Sequence, residues 1–295
     1  MDDLVTWITN LANTHTHTDV YSIVYVWMES ELLGGSAASA FNTEVMKVCA
    51  MGVTVIAASG IDGAPGYLYE NSTTSNCGYD AVFPASSPYV TAVGSTMGIE
   101  VGSAEVTCQS DLGGNITSGG GFSALFPAFA EQKSAISGYF SKVSPSPYGG
   151  YSYTGRGYPD VSVAGKDLVV VIGDYYYLLS GNSPSIVAGM ISLINAARKS
   201  SGRPSLGWIN PLLYTNQGSF ANDVTKGDNR CTAEACCKQG YYAASGWDPV
   251  TGFGSIDFSK LNSLMVNAVL RTGSPTATPT LRVDSSASTG NICIL

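Results

Sequence analysis

The residue of this chain whose position most invites chemistry is Ser183. An apolar, tyrosine-rich run ending Tyr177-Leu178-Leu179 stops at Ser180-Gly181, and a helical pattern starts just past Ser183. Ser183 reads as the N-cap and Pro184 as the first helical residue, where the missing N–H of proline costs nothing. Over residues 186–197 the apolar residues are nearly continuous, which predicts a helix buried on most sides. A hydroxyl at such a helix start lies among unpaired N–H groups in a positive local field, the setting a serine nucleophile needs. Serine is equally a preferred cap, and most capping serines do no chemistry.

Two further loops place polar side chains beside glycines, which let a backbone approach a ligand. Ser59-Gly60-Ile61-Asp62-Gly63 leaves the end of a continuous apolar strand over 53–58, and ligands of open parallel sheets gather at such carboxyl ends. The segment Asp223-Val224-Thr225-Lys226-Gly227-Asp228-Asn229 rejoins Ala244-Ser245-Gly246-Trp247-Asp248-Pro249. Two carboxylates held across a tight loop among free carbonyls make an oxygen-only set suited to Ca²⁺, although the spacing is not that of an EF-hand and solvated loop acids are the simpler account. The only histidines are His15 and His17, and neither lies in a glycine-flanked loop after a strand. A histidine triad is therefore disfavoured, and a carboxylate is the activating base the composition supports.

The elements that must position these groups alternate. Helices are predicted over 4–12, 36–51 and 258–270, with shorter ones near 131–139 and Pro211; strands are predicted over 20–28, 53–58 and 89–93. Residues 168–172 and 175–179 read as a hairpin turning at Gly173-Asp174, and residues 99–151 as largely irregular. Strand, helix and strand at the spacing of 20–58 is a βαβ unit, and a strand apolar on both faces belongs inside a parallel sheet. The fold class is α/β, a parallel sheet flanked by helices over 1–270, with a disordered Ser/Thr/Pro-rich tail over 271–295.

With 295 residues, 44% hydrophobic content and 34 glycines, the chain is a loop-rich globular protein. The net charge of −8 comes with only 12% charged residues and no basic cluster, which argues against a nucleic-acid partner. No apolar run reaches the roughly 18–20 residues of a membrane span. Of the seven cysteines, Cys231, Cys236 and Cys237 share one polar loop. A local pair of Cys231 with Cys236 or Cys237, the leftover meeting Cys77, fits an oxidising compartment. The sequons Asn71-Ser72-Thr73 and Asn115-Ile116-Thr117 agree with secretion of a glycoprotein. Met1-Asp2-Asp3 leads straight into an amphipathic helix with no signal peptide, so a missing N-terminal part is expected.

Four stretches carry a specific resemblance. Phe83-Pro84-Ala85-Ser86-Ser87-Pro88-Tyr89-Val90-Thr91-Ala92-Val93-Gly94, Ser118-Gly119-Gly120-Gly121-Phe122-Ser123, Gly155-Arg156-Gly157-Tyr158-Pro159-Asp160-Val161 and Gly246-Trp247-Asp248-Pro249-Val250-Thr251-Gly252 occur in that order. Together the chain over about 4–270 resembles the sedolisin, or serine-carboxyl peptidase, family, on its tripeptidyl-peptidase side. The resemblance implies a subtilisin-like fold and a monomer in a secreted or lysosome- or vacuole-like setting. It implies acid-pH hydrolysis of peptide or protein substrates by a Ser-Glu-Asp set with an oxyanion Asp. It also implies Ser183 as the nucleophile, and Ca²⁺ held by Asp223, Asp248 and the carbonyls of Val224, Ala244 and Gly246.

Three departures from the family pattern stand out. The family's general-base Glu and its partner Asp lie on a helix upstream of anything in this chain. The oxyanion Asp directly follows Ser-Gly in the family, whereas here that place is Ile61 and Asp62 is displaced by one residue, so an extended loop points its side chain elsewhere. Gly-Thr-Ser with a later proline reads Gly181-Asn182-Ser183-Pro184. These departures lead to the expectation of an impaired serine peptidase, with a non-catalytic, calcium-stabilised peptide-binding module as the alternative.

Overall fold

Thr54-Val55-Ile56-Ala57-Ala58 is apolar on both faces because a core lies against each. The structure, a computed structural model, describes residues 1–14, 16–69, 77–181 and 183–269. Its helices are α1 (Asp2–Ala12), α2 (Ser36–Ala50), α3 (Lys133–Lys142), α4 (Ser183–Ser200), α5 (Asn210–Thr215) and α6 (Phe258–Val266). Its first seven strands are β1 (Val20–Ile23), β2 (Trp27–Met28), β3 (Thr54–Ala58), β4 (Val82–Phe83), β5 (Thr91–Met97), β6 (Val106–Thr107) and β7 (Gly121–Pro127). The remaining six are β8 (Gly155–Tyr158), β9 (Val161–Ala164), β10 (Leu168–Ile172), β11 (Tyr175–Leu179), β12 (Ala221–Asn222) and β13 (Ser255–Ile256).

The central sheet runs β1-β3-β5-β9-β13-β12, parallel from β1 to β13, with β12 antiparallel at one edge and β6 antiparallel beside the end of β5. Strand side chains alternate between faces. Val55 and Ala57 belong to the core shared with Ile8, Leu11, Phe41 and Val45 of α1 and α2. Ile56, Val93 and Val161 belong to the opposite core, with Val187, Ile191 and Ile194 of α4. Each such side chain, fully buried, contributes about 1.5–3 kcal/mol. Helix α4 packs across β1, β3, β5 and β9 and against α6, so its first residue is held at the carboxyl ends of the strands.

The architecture is therefore the mixed α/β fold read from the sequence, with corrections at element ends. The strand predicted over 20–28 breaks after Ile23; Val24 and Tyr25 are 58% and 68% exposed, and Trp27–Met28 pairs with β4 instead. The strand predicted over 89–93 begins at Thr91 and continues to Met97. The stretch over 99–151 holds β6, β7 and α3, and β7 pairs with β8. The hairpin β10–β11 has the predicted bounds but projects from the sheet, leaving Val169, Val171, Tyr176 and Leu178 exposed. Helix α6 ends at Val266, short of the predicted 270. The 271–295 tail and the sequon at Asn71 lie outside the described residues.

A buried ion pair fastens the β8–β9 corner. Arg156 and Asp160 are both fully buried and 2.5 Å apart, and Asp160 also accepts from the Ala92 N–H at 2.7 Å and the Tyr214 hydroxyl at 2.8 Å.

Candidate active site

Helix α4 begins at Ser183 itself, one residue before the expected start; boundaries of this kind shift by a residue or two. The turn before it is set by Gly181, whose φ of 89° lies in the left-handed region and whose N–H donates to the Gly165 carbonyl at 2.8 Å. Ser183 is only 1% exposed. Its Oγ lies 2.8 Å from the Oγ of Ser95, on β5. Glycine at 165 makes room for this pair, since a Cβ there would stand 2.5 Å from Ser95 Oγ and 2.6 Å from Ser183 Oγ. Among the described residues, no carboxylate or imidazole is bonded to the Ser183 hydroxyl. His17 precedes β1, at the opposite end of the strands from Ser183. A serine paired with a second serine has a hydrogen-bond partner and no base.

The 59–63 loop leaves β3 beside this turn, and its two candidate side chains diverge. Ile61 approaches the Ser183 turn, with Cγ2 only 3.3 Å from where a Cβ on Gly181 would stand. Asp62 is 8% exposed and accepts from the Ala233 N–H at 3.1 Å through Oδ1. Burial raises its carboxyl above the usual carboxylate range, against that hydrogen bond. Successive residues on an extended loop point oppositely, which is why Ile61 rather than Asp62 faces the serine turn. Next to this loop, the exposed residues after β1 wall a cleft of about 410 Å³ that also touches Met28, Tyr67 and Val82.

The loop over 223–248 brings its two carboxylates to one arc of backbone. Asp223 Oδ2 accepts from the Gly246 N–H and Asp248 Oδ2 from the Ala244 N–H, each at 2.9 Å. Asp248 is fully buried, and its Oδ1 takes the N–H groups of Val250 and Thr251 at 3.0 and 2.8 Å. Thr251 Oγ1 lies 3.4 Å from the Val224 carbonyl. No cationic side chain pairs with Asp248 among the described residues, and burial pushes its carboxyl up to about 7. The nearby cation is Lys142, whose Nζ lies 3.7 Å from where a Cβ on Gly246 would stand. Asp223 and Asp248 thus face the N–H groups of Gly246 and Ala244, with the Val224 carbonyl alongside Thr251, and Asp248 is an acid buried without a counter-charge; all-oxygen acceptors of this kind are the chemistry a hard divalent cation takes.

Cys231 pairs with Cys236 and Cys77 with Cys237, one of the two arrangements the sequence left open. Asp111, Cys231 and Cys236 have ligand atoms close together, but the disulfide removes both thiolates from any metal set. Sequence reasoning missed Ser95, whose only signal is a Ser-Thr pair inside an otherwise apolar strand. It also missed Glu29, which is buried and accepts from the Ala124 N–H at 2.7 Å and from the Ser123 hydroxyl.

No protein-family model matches the chain. It is 32% identical over 298 residues to physarolisin of Physarum polycephalum, covering 88% of this chain and 52% of that protein. It is 35% identical over 269 residues to tripeptidyl-peptidase 1 of Pongo abelii, covering 88% of this chain and 46% of that one. The chain thus spans about half the length of the curated relatives it matches. Among solved structures, Pseudomonas sedolisin, a serine-carboxyl proteinase complexed with pseudo-iodotyrostatin, superposes with a TM-score of 0.67 at 24% identity, over 88% of this chain and 68% of that one.

Proposed function

The chain belongs to the sedolisin family of serine-carboxyl peptidases, on its tripeptidyl-peptidase side, and from that premise we propose that its folded part forms a calcium-stabilised peptide-binding domain whose own groups do not complete hydrolysis. The observation that carries this reading is the approach of Ile61 to the Gly181 turn, where its Cγ2 would meet an added Cβ at 3.3 Å. An apolar side chain at the oxyanion position donates nothing to a developing oxyanion, and losing one such donor costs about 10²–10³ in rate. Ser183 adds a second deficit, because its hydroxyl is buried against Ser95 rather than bonded to a base. General-base assistance contributes about 10²–10⁴. What these residues retain is the helix start, the glycine-lined turn and the cleft beside it.

Calcium belongs to the same proposal. Asp223 and Asp248, with the carbonyls of Val224, Ala244 and Gly246, would hold the ion, and its charge would keep the buried Asp248 ionised. Two disulfides support a secreted or lysosome- or vacuole-like location. The competing reading, hydrolysis of short peptides at acid pH, draws support from the relatives' names and from Ser183 standing at the start of α4.

A tripeptide aldehyde tests the proposal at the serine itself, since an activated hydroxyl adds to the aldehyde carbon as a hemiacetal. The expected result is reversible binding without a hemiacetal signal in carbon-13 spectra of the labelled aldehyde. A hemiacetal resonance lost in Ser183→Ala would overturn it.

A further inference from the structure

The cleft beside the 59–63 loop has a chemical polarity of its own. Its mouth is apolar: Val24 and Tyr25 are 58% and 68% exposed, and Ile61 is 45% exposed. Met28 and Val82, deeper in, are almost fully buried. Glycine at 66 has a φ of 81° and leaves room for the Met28 side chain, since a Cβ there would stand 2.2 Å from its sulfur. Among the described residues that line it, the sole carboxylate is Asp62. Asp62 is more than nine-tenths buried; its Oδ1 accepts from the Ala233 N–H, and among the described residues no donor reaches Oδ2. No lysine or arginine lines the cleft among the described residues. Behind the wall a second carboxylate, Glu31, accepts from the Tyr67 hydroxyl and from the Met28 N–H at 2.9 Å.

A carboxylate in a mostly apolar cleft has few donors around it, and a ligand that brings one gains a charge-assisted hydrogen bond there. The ligand must also cover apolar walls on its way in. Lysine and arginine side chains have that form, an aliphatic stem ending in a cationic donor. We infer that this cleft is a binding site for an ammonium or guanidinium group on an aliphatic stem, with Asp62 Oδ2 as its acceptor. The volume of about 410 Å³ is of the size that small ligands occupy. The inference rests on the peptide-binding reading for its physiological source, a lysine or arginine side chain of a bound peptide. A free alkylammonium ion has the same chemistry and needs no peptide contacts.

The test uses the purified 295-residue chain with both sources. Fluorescein-labelled alanine-based hexapeptides carrying lysine, norleucine or glutamate at each position in turn are titrated by anisotropy. n-Pentylammonium and n-pentanol are titrated by chemical-shift perturbation. At one peptide position lysine should bind at least about tenfold more tightly than norleucine, as expected of one charge-assisted hydrogen bond. Pentylammonium should likewise bind more tightly than pentanol, and Asp62→Asn should bring each pair to within about twofold. Val24→Trp, at the exposed mouth, should weaken all cleft ligands while leaving the melting temperature unchanged, which guards against a misfolded Asp62 variant. Pentylammonium binding that depends on Asp62, with no binding of any peptide, would uphold the cleft and overturn the peptide-binding reading. Equal affinity for pentylammonium and pentanol, or a preference that survives Asp62→Asn, would overturn the inference.

Discussion

Glu29 is buried at the end of a two-residue strand and held by Ser123 and Ala124, and its behaviour on protonation sets how the chain responds to pH. Burial, partly offset by those hydrogen bonds, raises its carboxyl above the ordinary value of 4.5; Asp62 and Asp80 are likewise raised above 3.8 by burial. A raised folded-state value means that the native chain binds the proton more tightly than the unfolded chain. The stability so gained is fully present below the unfolded value and is lost as pH rises through the folded one. Thermal melts of chelator-treated protein should therefore show a melting temperature falling by several degrees from about pH 4 to about pH 7, with the raised Asp248 carboxyl acting in the same direction. Glu29→Gln should flatten part of that fall. A melting temperature that rises over this range, or a slope unchanged in Glu29→Gln, would contradict the assignment. At this scale the sequence is uneven in what it discloses. The opposite aims of Ile61 and Asp62 follow from the alternation of an extended chain. The Ser95 partner of Ser183 does not, because 88 residues separate them and no periodic signal links a strand hydroxyl to a helix start.

The loop between α5 and α6 shows how an element's charge state depends on what it holds. Asp248 reads in the sequence as one acid among several in a polar loop, yet the fold buries it completely and surrounds it with N–H donors. That burial is a tertiary property, invisible in composition. If calcium is the missing counter-charge, adding it to chelator-treated protein should raise the melting temperature, by about 2.7 kcal/mol of stability at a hundredfold excess over Kd. Asp248→Asn should abolish the response, and magnesium should substitute poorly, since its octahedral demand suits a rigid protein cage badly. Identical melts with and without calcium would remove the ion from the account. The strands tell the same story. The hairpin β10–β11 was legible because its two β-branched and aromatic runs and the Gly173-Asp174 turn between them are local signals. The break after β1 was not: residues 24–26 keep strand-forming composition, and they leave the sheet because pairing ends there and the cleft begins.

For the molecule as a whole, the parallel sheet, the two cores and the helix start at Ser183 could be read from apolar patterning and glycine placement. On the proposed reading, the site they converge on has the family scaffold with two of its groups altered. Ile61 stands where a donor is needed, and Ser183 is bonded to Ser95 rather than to a base. The combined deficit of base and oxyanion donor is about 10⁴–10⁷ in rate if the two act independently. Turnover on that scale falls below detection for a short-peptide substrate. The most direct test is release of product from a fluorogenic tripeptide amide at about pH 4 by the purified chain, run beside Ser183→Ala with calcium present. The account predicts rates for the two proteins that do not differ from each other or from buffer; hydrolysis by the unaltered chain that disappears in Ser183→Ala would contradict it.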